Sequence, residues 1–162
     1  MGYLIMLKNV SFFLKLSSFF LLVFIWVYTM ITYGKLPETV PIHFDLDGKA
    51  DGFGSKNTNW FLAGISSAIF ILMMYLSQNP NAPGLNIPEN LKKDPAISEF
   101  VVSILCVLTM FLFANINYES IQVSLGKVEG LSNITNYILG LMLLFIIAMM
   151  IYSWRLTKKS KI

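Results

Sequence analysis

Four apolar runs, near residues 16–33, 60–77, 97–118 and 137–154, divide the chain, and each is about long enough to cross roughly 30 Å of hydrocarbon as a helix. Within each run the apolar residues occupy every side of a helix, not one stripe, which argues against helices lying flat on a membrane surface. The pattern predicts an all-α integral membrane protein with four transmembrane helices, forming a single domain over residues 1–162. Three connections of different character join the runs. Residues 34–59 form a polar loop, LPETVPIHFDLDGKADGFGSK at its heart, which is expected to be folded and extracytoplasmic. The segment from Gln78 to Ala96 carries Pro80, Pro83, Pro88 and Pro95, each lacking an amide donor and each disfavouring helix before it, so it should be irregular. The third connection, Glu119 to Asn136, is short and mixed.

Composition agrees with that reading: 56% of residues are hydrophobic and 13% charged, a balance that a water-soluble domain of this length could not hide in one core. Lys8 and Lys15 before the first run suggest a secretory leader, but no small-x-small cleavage site follows and no alanine precedes Ala50, so an uncleaved anchor is expected. Met6 stands where a myristoylation signal needs Ser or Thr. The single cysteine, Cys106, lies inside the third run without a partner and reads as packing.

Charge sets the expected orientation. Lys8, Lys15, Lys92, Lys93, Arg155, Lys158, Lys159 and Lys161 fall on the side that carries both termini, against Lys35, Lys49, Lys56 and Lys127 on the other. Basic residues are retained in the cytoplasm, so both termini are expected there and the loop 34–59 outside. The basic tail, residues 155–162, is expected to be cytoplasmic and to hold anionic headgroups of the lipid bilayer. A nucleic-acid partner is not expected.

Within the spans, Gly64 and Ala68 make a small-xxx-small pair, with Ser66 and Ser67 alongside, expected to face the bundle interior. Glu99, Ser103, Cys106, Met110, Phe113 and Asn117 recur at helical spacing as a stripe with polar ends. Glu99 reads as an interfacial acid at a helix start, and Lys15 as a lysine that snorkels to the surface. Tyr33, Trp60, Tyr75, Tyr118, Tyr137, Tyr152 and Trp154 gather at run ends as an interfacial belt that anchors depth.

The candidate chemistry is concentrated between the first two runs. Pro37 and Pro41 favour extended backbone, and alternation sets Val40, Ile42 and Phe44 on one side with His43 and Asp45 on the other. Asp47-Gly48 and Asp51-Gly52 are turn signals, and Gly52 and Gly54 keep the backbone free. Ser55, Asn57 and Thr58 each suit a helix cap. Lys56 sits unfavourably beside the positive end of the next helix, so an anion is expected nearby, either a loop aspartate or a lipid phosphate.

His43, Asp45, Asp47, Asp51 and Lys56 are therefore the candidate ligand or partner contacts, with His43 reading equally as a hydrogen-bonding residue of a folded cap. No cofactor is expected. A calcium helix-loop-helix template fails at Lys49, Ala50 and Lys56, which leaves only a looser calcium site, and one histidine with no loop cysteine makes zinc weaker still. His43 could act as a base and Ser55 as a nucleophile, but no nucleophile elbow precedes the serine and no metalloprotease signature occurs, so an enzyme is not favoured and no catalytic residue is assigned.

The loop resembles the signature of a bacterial membrane family, domain of unknown function 1648, through Leu36-Pro37, Pro41-Ile42, His43-Phe44, Gly48, Asp51-Gly52, Gly54 and Ser55-Lys56. The likeness covers roughly residues 15–77, and Asn86, Ile87 and Pro88 more faintly resemble the family's next loop. The architecture best known to bear this module is the SdpI type, associated with immunity to a secreted peptide toxin and with an accompanying signal. The resemblance implies residence in the bacterial cytoplasmic membrane and a toxin-immunity or envelope-sensing role, with a secreted peptide or an envelope protein as partner. Pro37, Pro41, Gly48, Gly52, Gly54 and Ser55 are then the structural motif. The sequence departs from that architecture in ending after four spans, before the expected C-terminal SdpI-type module. Two alternatives stand beside this reading: an accessory membrane subunit, and a metal- or ligand-binding protein that uses the His/Asp loop. The oligomeric state is not legible.

Overall fold

The computed structural model describes residues 2–82, 88, 92 and 94–159. Pro83, Asn86, Ile87, Lys93, Lys161 and the side chains of Lys158 and Lys159 lie outside the described residues. Four helices, α1 (Gly2–Tyr33), α2 (Thr58–Gln78), α3 (Pro95–Ser124) and α4 (Ile134–Lys159), are each long and apolar enough to cross a membrane. The first two are joined by a β-hairpin of β1 (Thr39–Phe44) and β2 (Ala50–Ser55).

Helix α1 runs for 32 residues because nothing between Gly2 and Gly34 interrupts it. Asp94 starts α3 by accepting the Ala96 amide at 2.9 Å, with Pro95 in the first turn, where its missing donor costs nothing. Gly126, at φ +68°, ends it: the amides of Gly126 and Lys127 return to the carbonyls of Val123 and Gln122. With 30 residues, α3 reaches past the run that sequence assigned to it, so Glu119 is helical and the third connection shrinks to residues 125–133.

Helix α3 is the central post. It packs against α1, α2, α4 and the hairpin, whereas α4 packs chiefly on α3 and buries only Ile138 in its described part. The stripe read from sequence is its inner face: Ser103, Cys106, Met110 and Asn117 are fully enclosed. Ile25, Ala63 and Ala114 meet, one from each of the first three helices, the two alanines permitting close approach around the bulkier Ile25. Serines extend this contact. Ser11, Ser18, Ser66 and Ser103 are buried, and each hydroxyl donates to the carbonyl one turn earlier, at 2.7–2.9 Å, so no donor is left bare in hydrocarbon.

The small pair Gly64 and Ala68 does not face the interior as expected. Both are exposed, and Asn59, Ala63, Ser66 and Ser77 form the buried face of α2. One residue turns a helix by about 100°, so seating Ala63 and Ser66 inside carries Gly64 and Ala68 round toward lipid. Ser67 binds from the edge of that face, accepting the indole N–H of Trp26 at 2.9 Å.

Glu99 lies near the start of α3, as read from sequence, and is paired: Lys15 Nζ donates to Glu99 Oε1 at 2.5 Å, tying α1 to α3. Pairing is what makes both tolerable at the edge of hydrocarbon, since an unpaired charge there costs several kcal/mol.

Two measurements test these contacts by thermal unfolding in detergent. Lys15→Met should destabilise by about 2 kcal/mol, less than a fully buried pair because both side chains keep partial exposure, and Lys15→Met with Glu99→Leu should recover most of that loss. Gly64→Leu should leave stability within about 0.5 kcal/mol, because a Cβ there meets nothing within 4 Å.

Candidate functional site

The signature loop builds a hairpin that is closed at both ends. At its base the Lys56 amide donates to the Glu38 carbonyl at 3.0 Å; at its tip Asp45 and Lys49 pair, the Gly48 amide returns to the Asp45 carbonyl, and Asp45 Oδ1 accepts the Lys49 amide at 2.8 Å. Gly48 holds φ +80°, the left-handed region where a side chain is strained.

The hairpin is seated on the C-terminal end of α3. Leu36, Val40 and Ile121 are buried together beneath it, and Ser120 Oγ reaches the Pro41 carbonyl at 3.4 Å. Its tip is fastened to the α3–α4 connection, where the Leu131 amide donates to the Gly48 carbonyl at 2.8 Å and Lys49 bridges to Gly130. Backbones approach too closely there for side chains: a Cβ on Gly48 would lie 2.4 Å from the Leu131 oxygen, and one on Gly130 2.4 Å from the Gly48 oxygen. Glu119 stiffens the same junction. Its buried carboxylate accepts the Ser132 amide at 2.9 Å and the Ser132 hydroxyl as well.

His43 and Asp51 meet on the hairpin, Nδ1 against Oδ1. Regular pairing would set Asp51 on the opposite face, since His43 lies across from Gly52. Register shifts on both sides of His43, between Pro41 and His43 and between His43 and Phe44, re-aim the strands so that the two side chains share a face. Gly52 makes the room, because a Cβ there would come within 2.9 Å of the His43 Cβ. The pair is open to solvent, with His43 72% and Asp51 48% exposed, so it contributes little to stability and presents a polar, hydrogen-bonding surface.

The other candidates do not join it. Asp45 is engaged with its own turn, and Asp47 lines a polar cleft of about 40 Å³ beside Ser132, Asn133, Thr135 and Asn136. Lys56 donates to Glu38 Oε1 at 2.8 Å and lies 5.2 Å from the centre of the Tyr33 ring. The protein anion beside it is therefore Glu38, a glutamate of the same loop and not one of its aspartates. That hydrogen bond raises the Lys56 ammonium above its ordinary range, which keeps it charged at any physiological pH.

Among the described residues no group of three or more His, Cys, Asp or Glu is arranged to hold a metal ion, because the loop carboxylates are dispersed to separate tasks. Ser55 accepts the Asn57 amide at 3.3 Å and so supports the entry to α2; Asn57 makes no side-chain cap. Pro37 is exposed, whereas Pro41 is buried against α3.

Glu38, Glu119, Gly130 and Ser132 complete the cap and were not singled out from sequence. Only Glu38 left a signal, in the missing counter-charge of Lys56.

Residues 20–66 match the model of a family described as Domain of unknown function (DUF1648), a match that spans the C-terminal part of α1, the whole hairpin and the first turns of α2. An uncharacterized protein of Archaeoglobus fulgidus is 35% identical over 54 residues, a stretch covering 33% of this chain and 30% of that relative. No solved structure matches.

Replacing Glu119 tests the junction. Glu119→Leu should cost about 1.5–3 kcal/mol in thermal unfolding and speed hydrogen exchange at the Ser132 amide, while Glu119→Gln, which keeps an acceptor, should lose less than half as much.

Proposed function

We propose, on the premise that residues 20–66 form a domain of the family Domain of unknown function (DUF1648), that this chain is a membrane-anchored binding protein whose hairpin recognises a partner at the membrane surface. The observation that carries this reading is the division of labour within the loop. Gly48, Gly52, Gly54, Pro41 and Ser55 support the hairpin, and the rigid product displays His43 and Asp51 without burying them. A loop that only sealed the bundle would have no use for register shifts that bring a solvated His–Asp hydrogen bond onto one face. Rigid, pre-organised display is what a recognition surface needs, because it lowers the ordering cost of association.

The partner is a secreted peptide or an envelope protein, and the outcome of binding is neutralisation or a report through the helices, as in toxin immunity of the SdpI type. A peptide offering a carboxylate and a basic group could meet His43 and Asp51 with charge-assisted hydrogen bonds. Catalysis finds less support. No hydrogen bond joins the His43 ring to the Ser55 hydroxyl among the described residues, so base and nucleophile are not poised on each other.

The test is protection. Cells expressing the chain should survive secreted peptides of its own producer or close neighbours, and His43→Ala or Asp51→Ala should raise sensitivity about tenfold without lowering membrane abundance, as expected for losing a charge-assisted contact. Protection unaltered in both variants contradicts the proposal, and a loss of thermal stability alone would assign the loop to sealing the bundle.

A further inference from the structure

Beneath the hairpin, on the side away from the His43–Asp51 pair, a groove of about 280 Å³ opens between α2 and α3. Ile42 and Phe44 of the hairpin roof it, and Phe61, Leu62, Ile65 and Ile116 of the two helices form its walls. Phe61 and Ile65 stand on the outward surface of α2, 67% and 38% exposed, within a helix long and apolar enough to span the bilayer. The walls of the groove thus belong to the apolar surface that α2 presents to hydrocarbon when it spans a bilayer. Gly54 gives the roof its room: a Cβ there would fall 2.9 Å from the Ile42 Cδ1 and push that side chain aside.

The rim carries a polar group without a partner. Asn59 lines the groove and is 5% exposed; its amide nitrogen donates to the Lys56 carbonyl at 3.0 Å, but no hydrogen bond reaches its Oδ1 among the described residues. An unpaired acceptor on an enclosed residue at the edge of hydrocarbon calls for a donor.

We infer that this groove holds one acyl chain of a membrane lipid from the hairpin-side leaflet, whose polar part supplies an N–H or O–H to Asn59 Oδ1. Depth selects the occupant. The walls lie within the spanning helices, where an acyl chain is the surrounding solvent, and the acceptor lies one turn nearer the surface, where the glycerol and headgroup begin. A lipid with a donor in its head, such as an amine or hydroxyl, satisfies both ends at once. This site shares no side chain with the His43–Asp51 surface and does not depend on the proposed partner.

The experiment uses the full chain in nanodiscs containing phosphatidylethanolamine with a diazirine in one acyl chain, irradiated and mapped by peptide mass spectrometry. Adducts should concentrate on Phe61, Leu62, Ile65 and Ile116, about tenfold above the comparably exposed Leu139 and Leu143 of α4, the enrichment that one net hydrogen bond to Asn59 can supply. Ile116→Trp, which fills the groove, should remove the enrichment while thermal unfolding shows the protein folded. The same chain in phosphatidylcholine, whose head has no donor, should show weaker enrichment. Labelling equal at the groove and on α4 would overturn the proposal and leave annular lipid only. Enrichment that persists undiminished in Ile116→Trp would overturn it equally, since the chain would then lie elsewhere.

Discussion

A bilayer offers the backbone no hydrogen bonds, so everything irregular in this chain has to find its partners either at the membrane surface or within the protein. The fold meets that constraint with one helix. By overshooting its apolar run at its C-terminal end, α3 supplies Glu119, Ser120 and Ile121 as a platform for a hairpin that could not stand alone. Two-stranded hairpins are marginal in water. Here Val40 is buried against Ile121, and the tip is bonded to the α3–α4 connection, so both ends of the ribbon are held by the same post.

The glycines of the loop gain their meaning from that attachment. Gly48 is required twice, by its positive φ and by the Leu131 carbonyl pressed against it; Gly52 clears space for His43, and Gly54 for Ile42. Packing at the junction thus determines where the polar face and the apolar groove lie. The hairpin shows two different chemistries in two directions: a hydrated His–Asp hydrogen bond on one side, and the roof of an apolar groove on the other.

Much of this was legible in the residues, and what was not has a physical reason. Spans could be read because 20 or so consecutive apolar residues have one use in a membrane protein. The extended backbone around Pro41 and the inner stripe of α3 were readable because both rest on local periodicity. Which face of α2 turns inward was not: Gly64 and Ala68 are as small as Ala63 and Ser66, and only the position of α1 and α3 distinguishes them. Pairing of Lys15 with Glu99 joins residues 84 apart, and Glu119 with Ser132 crosses a connection, so neither has a spacing rule. The meeting of His43 and Asp51 was hidden for another reason, because strict alternation holds only while the register is unbroken, and here it breaks on both sides of the histidine.

The central claim is that the loop is a rigid cap fastened to α3 and to the connection that follows it. Hydrogen exchange on the full chain in nanodiscs tests this directly at the amides of Asp45, Lys56 and Leu131, which donate to the carbonyls of Lys49, Glu38 and Gly48. Exchange slowed at least about a hundredfold relative to unstructured peptide, and similar at all three amides, is the expected result, since a shared opening would have to break the cap as a unit. Exchange at the rate of free peptide at these positions, with the helices still protected, would contradict the account.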